Sequence, residues 1–370
     1  MNNSLFGRAR ALGLVVGLGA GSAALALAAT AANASVPPYT LVGSFAVTGD
    51  AFDILPDGRV VTISGHVLSM QSAIGASSYA AIGSVPTGSI SGFGASFLSV
   101  SPSGTSIAIG DNNFGPGASV VIVATASLNP GASSSVLSIA TPNSEAAWNG
   151  EGQLFVSGFG SGPVVTRIDI GALTATTVIT AIGDGSGGIA VRAGRLYAGI
   201  GFDATSGGAL TGDIRAFDLA GPGGIATGAA SVGFGTGVLV ADALSAGSLG
   251  FDAAGSLLVG GGDFFSGSND FGYAAAIDGD AILAALAGGS LAGDSAELRL
   301  SPAGASAFYS VRFNSALNEV LVVSGGVGYR YAVPTPAAAG LLALSGLVAA
   351  RRQRAGTAAA RASARSVAHA

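Results

Sequence analysis

The chain has no cysteine and no lysine among its 370 residues, one tryptophan and two histidines. Without cysteine there is no disulfide framework, no thiol nucleophile and no thiolate metal site, whatever compartment the protein occupies. Without lysine every basic side chain of that kind is an arginine, and these are unevenly placed. Eight lie between Asp50 and Arg330, together with all 20 acids, which leaves this body at a formal −12. Nucleic-acid binding needs clustered cations that displace counterions from phosphate, so nucleic acid is set aside as a partner. Histidine is too scarce for acid-base chemistry: His66 is expected in the third strand of the first repeat, and His369 lies in the tail. The stretch "GDGSGG" from Gly183 therefore has no histidine and supporting acid with which to build a serine nucleophile.

What the chain has in abundance is glycine, 61 residues of it, set among apolar and β-branched residues too frequent for a solvated coil. One unit recurs: a short apolar strand, a tight turn, then a second apolar strand closing in Gly or Ser. It reads "AFDILPDGRVVTIS" from Ala51, "FLSVSPSGTSIAIG" from Phe97, "EAAWNGEGQLFVSG" from Glu145, "GGIAVRAGRLYAGI" from Gly187, "SLGFDAAGSLLVGG" from Ser248 and "SVRFNSALNEVLVVSG" from Ser310. The turn residues Gly58, Gly104, Gly152, Gly194, Gly255 and Asn318 follow one another at intervals of 46, 48, 42, 61 and 63. Glycine between two apolar runs supplies the positive φ that a hairpin turn demands, so each unit is a hairpin. A third strand follows each, as in "HVLSMQS" from His66 and "GVGYRYAV" from Gly326, and further β-prone runs such as "TATTVITAIG" from Thr174 complete four strands.

An isolated four-stranded meander cannot bury both faces, whereas six arranged radially cover one another. The expected fold is all-β, a six-bladed β-propeller of four-stranded blades; a β-helix or a pair of β-sandwiches are the alternatives. "YTLVGSFAV" from Tyr39 precedes the first hairpin and is expected to serve as the outer strand of the last blade, closing the ring. "DAILAALAGGSLAG" from Asp280 is the one stretch that reads as a short helix. The glycine clusters "GFGSG" at Gly158 and "GIGF" at Gly199 precede strands, not helices, and so are hairpin loops instead of phosphate cradles.

The two ends read as addresses. Arg8 and Arg10, an apolar run from Ala11, and Ala32-Asn33-Ala34 in an A-x-A pattern have the layout of a secretory signal peptide cleaved after Ala34, an uncleaved membrane helix being the alternative. At the other end the 14 residues Ala337 to Ala350 would span about 21 Å as a helix, short of about 30 Å of hydrocarbon. Val333-Pro334-Thr335-Pro336 stands before this run, and Arg351, Arg352 and Arg354 follow it, where cations stay cytoplasmic. This order of prolines, short apolar helix and arginines resembles the PEP-CTERM sorting signal, over Val333 to Arg354 only. Thr335 replaces the commoner glutamate, and the chain runs on past the arginines. The resemblance implies transient membrane insertion, an exosortase-type processing enzyme as partner, and residence at the cell surface, outer envelope or extracellular matrix of a bacterium that exports exopolysaccharide. The expected organisation is a signal peptide over 1–34, the propeller over 35–333, the sorting segment over 334–354 and a disordered tail over 355–370.

Pro56-Asp57-Gly58 before an apolar strand, and Arg167-Ile168-Asp169 in a third strand, resemble NHL-type and gluconolactonase-like six-bladed propellers over about Tyr39 to Val333. In the latter a Glu, an Asn and an Asp around the channel hold a catalytic metal, and the resemblance implies the first role for Glu145 alone. Independently, if the hairpin turns share one face, the second-to-third-strand loops and the entries to first strands share the other. That face collects Asp50, Asp111, Glu145, Asp184, Asp203, Asp242, Asp263 and Asp270. Oxygen-rich loops suit a hard cation such as calcium, with Glu145, Asp111, Asp203, Asp263 and Asp270 as candidate ligands; turn-forming Asp and Asn in solvated loops is the competing reading. Two functions remain open: a non-enzymatic structural or binding module, whose partners are envelope proteins or exopolysaccharide, and a calcium-dependent lactonase or esterase.

Overall fold

The computed structural model describes residues 39–113, 117–160, 162–183, 185–201, 212–228, 230–243, 245–262, 273–289, 297–300 and 309–334. They form an all-β, six-bladed propeller of four-stranded blades. From the axis outward, blade 1 is Ala51–Ile54, Val60–Ser64, Val67–Gln71 and Tyr79–Ser84, and blade 2 is Ala95–Val100, Ser106–Asp111, Ser119–Ala124 and Leu137–Ala140. Blade 3 is Glu145–Trp148, Gln153–Phe159, Pro163–Asp169 and Thr174–Thr180; blade 4 is Ser186–Arg192, Arg195–Ile200, Gly212–Asp218 and Val238–Ala243. Blade 5 is Ser248–Phe251, Leu257–Gly261, Tyr273–Ile277 and Glu297–Arg299. Blade 6 takes Ser310–Asn314, Glu319–Ser324 and Val327–Ala332 from the chain's end and Thr40–Ala46 from its beginning. The ring therefore closes as expected, with Thr40 opposite Ala332 and Ala46 opposite Val327.

Each inner strand packs on those of the blades before and after it, the last on the first, so blade 6 stands across the axis from blade 3. A separate apolar cluster fills each of the six junctions among the described residues. Between blades 2 and 3, for example, Phe97, Val120 and Ile122 meet Trp148, Leu154 and Ile168. Trp148 is buried in this junction, and its Nε1 also donates to the Ser99 carbonyl. The junction between blades 6 and 1 has the smallest cluster, Phe45, Val47, Phe52, Val60 and Leu321. Polar contacts join this junction as well, among them Asn314 Nδ2 donating to the Gly58 carbonyl at 2.8 Å.

Several local features depart from the sequence reading. Blade 3 carries a fifth strand, Val232–Gly233, parallel to Thr174–Thr180, because the long link before the outer strand of blade 4 lies along blade 3. Arg167 holds that link through the carbonyls of Ile225 and Gly228. In the blade 3 hairpin the positive φ belongs to Gly150 (69°) and not to Gly152, since Asn149 already pairs with Gln153 across the turn. His66 is not in a strand; it occupies the exposed two-residue turn before Val67–Gln71. Asp242 lies in the outer strand of blade 4 and not at the entry to an inner strand. The helix Gly279–Leu286 is present, capped by the Asp278 side chain accepting from the Asp280 amide, with Ile282 and Ala285 buried.

The blade 4 hairpin is a two-residue turn, Ala193-Gly194, with φ of 49° and 74° between the paired Arg192 and Arg195. Both positions need left-handed backbone, which costs an alanine about 1 kcal/mol and suits asparagine far better. Ala193→Asn is expected to raise stability by roughly 0.5 to 1 kcal/mol, read as a higher denaturant midpoint at unchanged slope. A lower midpoint would contradict the turn assignment.

Candidate functional site

All six inner strands begin on one face of the ring, and their hairpins turn on the other. The hairpin face carries both ends of the described chain: the Val333 amide donates to the Asn318 carbonyl, and the Tyr39 hydroxyl to Asp252 Oδ2 at 2.6 Å. On the opposite face, between blades 6, 1, 2 and 3, a well of about 230 Å³ opens over the axis. Asp50, Ser96, Glu145, Ser310, Arg312 and Ser324 supply its polar lining.

The floor of the well is an ion cluster. Arg312, on the inner strand of blade 6, reaches across the axis, and its Nη2 donates to Glu145 Oε1 of blade 3 at 2.7 Å. Its Nη1 donates to Ser248 Oγ of blade 5 at 3.0 Å and to the Val311 carbonyl at 2.9 Å. Nε lies 3.5 Å from Asp53 Oδ1 of blade 1, and the guanidinium sits 5.8 Å from the centre of the Phe52 ring. One side chain thus connects four blades at the axis. Asp53 is further held by the amides of Ile54 and Val100, at 2.8 and 2.7 Å.

Burial sets the electrostatics. The side chains of Arg312, Asp53 and Glu145 are 16%, 15% and 9% exposed. Burial pushes the Asp53 carboxyl above the usual carboxylate range, even though Arg312 and the two amides pull it down. Burial also works against the charge on Arg312, but Glu145 and Asp53 outweigh it, so the guanidinium binds its proton more tightly than a free arginine.

The expected candidate ligands divide unequally. Glu145 does reach the channel, but Oε1 is occupied by Arg312 and by the Ala146 amide at 3.2 Å. Asp111 lies on the same face and spends Oδ1 on the Ser91 amide at 2.6 Å, tying down the entry loop of blade 2. Asp203, Asp263 and Asp270 lie outside the described residues, as do Asp184, the cleavage residues Ala32 and Ala34, and Thr335, Pro336, Arg351, Arg352 and Arg354. Among the described residues no three His, Asp or Glu side chains gather as a metal-binding group. A calcium ion wants several uncommitted oxygens at once. At Glu145 the guanidinium already takes one carboxylate oxygen, which leaves too few uncommitted oxygens among the described residues of the floor to fit calcium. Val333 and Pro334 are described, and the last strand ends just before them. No described helix is long and apolar enough to cross a membrane.

Arg312 and Asp53 are the site residues that sequence reasoning missed. A signal existed. Setting the inner strands "AFDI", "FLSV", "EAAW", "SLGF" and "SVRF" in register puts Asp53, Ser99, Ala147, Gly250 and Arg312 at one position. Only the first and last are charged, with opposite signs, and ring closure makes their blades neighbours.

The fold and site define a β-propeller with a blind axial well. No family model matches the chain, and no curated protein does. Among solved structures, a chain of the crystal structure of the mitotic checkpoint complex is similar at 12% identity, over 81% of this chain and 98% of its own, with a TM-score of 0.49. A putative TolB from Agrobacterium tumefaciens is similar at 15% identity, over 78% of this chain and 91% of its own, with a TM-score of 0.44.

Proposed function

We propose that this chain is an exported, non-enzymatic propeller that acts as a binding module at the bacterial cell surface or in the extracellular matrix. A leader cleaved after Ala34 carries it out, and an exosortase-type enzyme processes the PEP-CTERM-like segment Val333 to Arg354. The observation that carries the binding reading is the Arg312 to Glu145 pair at 2.7 Å, which commits the best-placed carboxylate of the channel to holding blades together. A carboxylate so engaged is a poor general base and a poor metal ligand, whereas the polar well above it remains open to a partner. The exit of both described ends on the hairpin face supports the sorting reading, because a segment inserted in the membrane there leaves the well facing outward.

Full-length protein expressed in an exosortase-bearing bacterium tests this. The mature chain is expected in the envelope or matrix fraction, with a mass that lacks residues 1–34 and the apolar segment. Replacing Arg351, Arg352 and Arg354 with alanine is expected to leave it unprocessed in the membrane. The purified protein is expected to retain envelope polysaccharide or an envelope protein, and Asp50→Arg, which sets a cation at the rim of the well, to release it. Cytoplasmic residence overturns the sorting reading. Calcium-dependent lactone hydrolysis lost in Glu145→Ala and Asp263→Ala overturns the non-enzymatic one.

A further inference from the structure

The well is built with more negative charge than it neutralises. Asp50 stands at its rim, Glu145 and Arg312 form its floor, and Asp53 lies directly behind the guanidinium. That is three carboxylates to one cation, in a place where unbalanced charge is costly. Glu145 is only 7% exposed, yet its Oε2 receives no hydrogen bond while Oε1 receives two. Among the described residues the only sealed polar side-chain atom without a partner is Arg215 Nε, so Glu145 Oε2 is not sealed from solvent, and Glu145 lines the well. Asp50 is similarly half-used: Oδ2 accepts from the Gly65 amide at 2.8 Å and Oδ1 from nothing.

Resting on the reading of the well as a binding site, we propose that it takes a protonated primary amine. Two unoccupied carboxylate oxygens and the serine hydroxyls of the rim suit the three N–H donors of an ammonium group. Size favours the same choice. At about 230 Å³ the well holds seven or eight waters at about 30 Å³ each, below the roughly 300 Å³ at which pockets begin to enclose a whole drug-sized ligand. It admits a head group on a short stem. An anion would have to approach Asp50 and Glu145, and the one guanidinium below them is already engaged on Nη1 and Nη2. A second guanidinium is broader and needs a flat fork of acceptors, which Asp50 at the rim and Glu145 on the floor do not offer.

A lysine side chain of a partner protein and a free aliphatic amine share this chemistry, and titration calorimetry on the intact propeller separates them. The probes are n-butylammonium chloride, Nα-acetyl-lysine N-methylamide, a lysine-containing pentapeptide, and n-butanol as the neutral isostere. Saturable binding of both amines, with n-butanol at least tenfold weaker, is expected. Asp50→Asn, whose amide oxygen still accepts from Gly65, is expected to weaken both about tenfold without moving the unfolding midpoint, and Glu145→Gln to weaken them further. A pentapeptide that binds tighter than butylammonium identifies a protein source, and the reverse order a free amine. Equal binding of butanol, absence of amine binding, or indifference to Asp50→Asn overturns the assignment. If amines fail while Asp50→Arg still releases an envelope partner, the ligand class is wrong and the binding module stands. If amines bind but Asp50→Arg keeps its partner, the envelope partner does not use the well.

Discussion

Arg312→Met is expected to cost about 3 to 5 kcal/mol at neutral pH, because it strands Asp53 and Glu145 at the axis without a counter-charge. Methionine keeps most of the stem, so the loss is electrostatic and not a cavity. Three consequences separate this from generic damage. First, the cost depends on pH. A carboxyl whose folded pKa is raised binds its proton more tightly in the folded state, so its contribution is fullest below the ordinary carboxylate range and is lost as pH rises through the raised value. Asp53 is such a group in the native protein, and without Arg312 it rises further. Acidifying from neutrality through that window therefore narrows the gap between variant and native protein. Second, Asp53→Asn and Glu145→Gln in the Arg312→Met background return most of the loss, since a buried charge cluster replaced as a whole costs little. Third, denaturant slopes stay unchanged. Unfolding curves at two pH values check all three, and a cost under about 1 kcal/mol, or one indifferent to pH, would sink the axial-pin account.

Removing residues up to Val47 is expected to abolish folding at 25 °C. The strand Thr40–Ala46 is one quarter of blade 6, and with its flanks it buries Tyr39, Phe45 and Val47. At about 1.5 to 3 kcal/mol per buried large side chain, these three account for roughly 5 to 9 kcal/mol. The whole stability of a domain is about 5 to 15 kcal/mol. The Tyr39 hydroxyl, whose proton is held more tightly because of burial and its bond to Asp252, adds a charge-assisted contact to blade 5. Rejoining the strand through a short linker after Val333 should restore the fold, because Thr40 faces Ala332 in the antiparallel ladder and a hairpin can connect them. A truncated chain that still unfolds cooperatively would show that blade 6 is complete with three strands.

The strands and their order were readable because glycine turns and period-two apolar runs are local. Gly58 and Gly104 lie between strands that touch each other, and no distant residue is needed to see it. The closing strand was readable for a topological reason, since a fourth strand was missing at one end and spare at the other. The axial cluster was not, because Asp53, Glu145, Ser248 and Arg312 lie on four blades and are joined only by the curvature of the ring. The acids that stand out in the sequence lie in the loops, where oxygen-rich composition is conspicuous. The pair that organises the channel lies inside "AFDI" and "SVRF", where a single charged residue among apolar ones is easily taken for an exposed position. The blade 3 turn shows the same limit on a smaller scale: "NGEG" offers two glycines, and only the pairing of Asn149 with Gln153 decides that Gly150 takes the left-handed backbone.

The position of the last strand has a mechanical meaning. Val327–Ala332 is the third strand of its blade, paired on one side with Glu319–Ser324 and on the other with Thr40–Ala46. A pull applied beyond Val333 runs along this strand's own axis, so both ladders are loaded together in shear and no single hydrogen bond at an end can open first. The N-terminal strand, on the rim of the blade with one neighbour, lacks that protection and would unzip if pulled outward. A pull on the C-terminal side thus meets two ladders at once, with the chain's own beginning serving as the second grip.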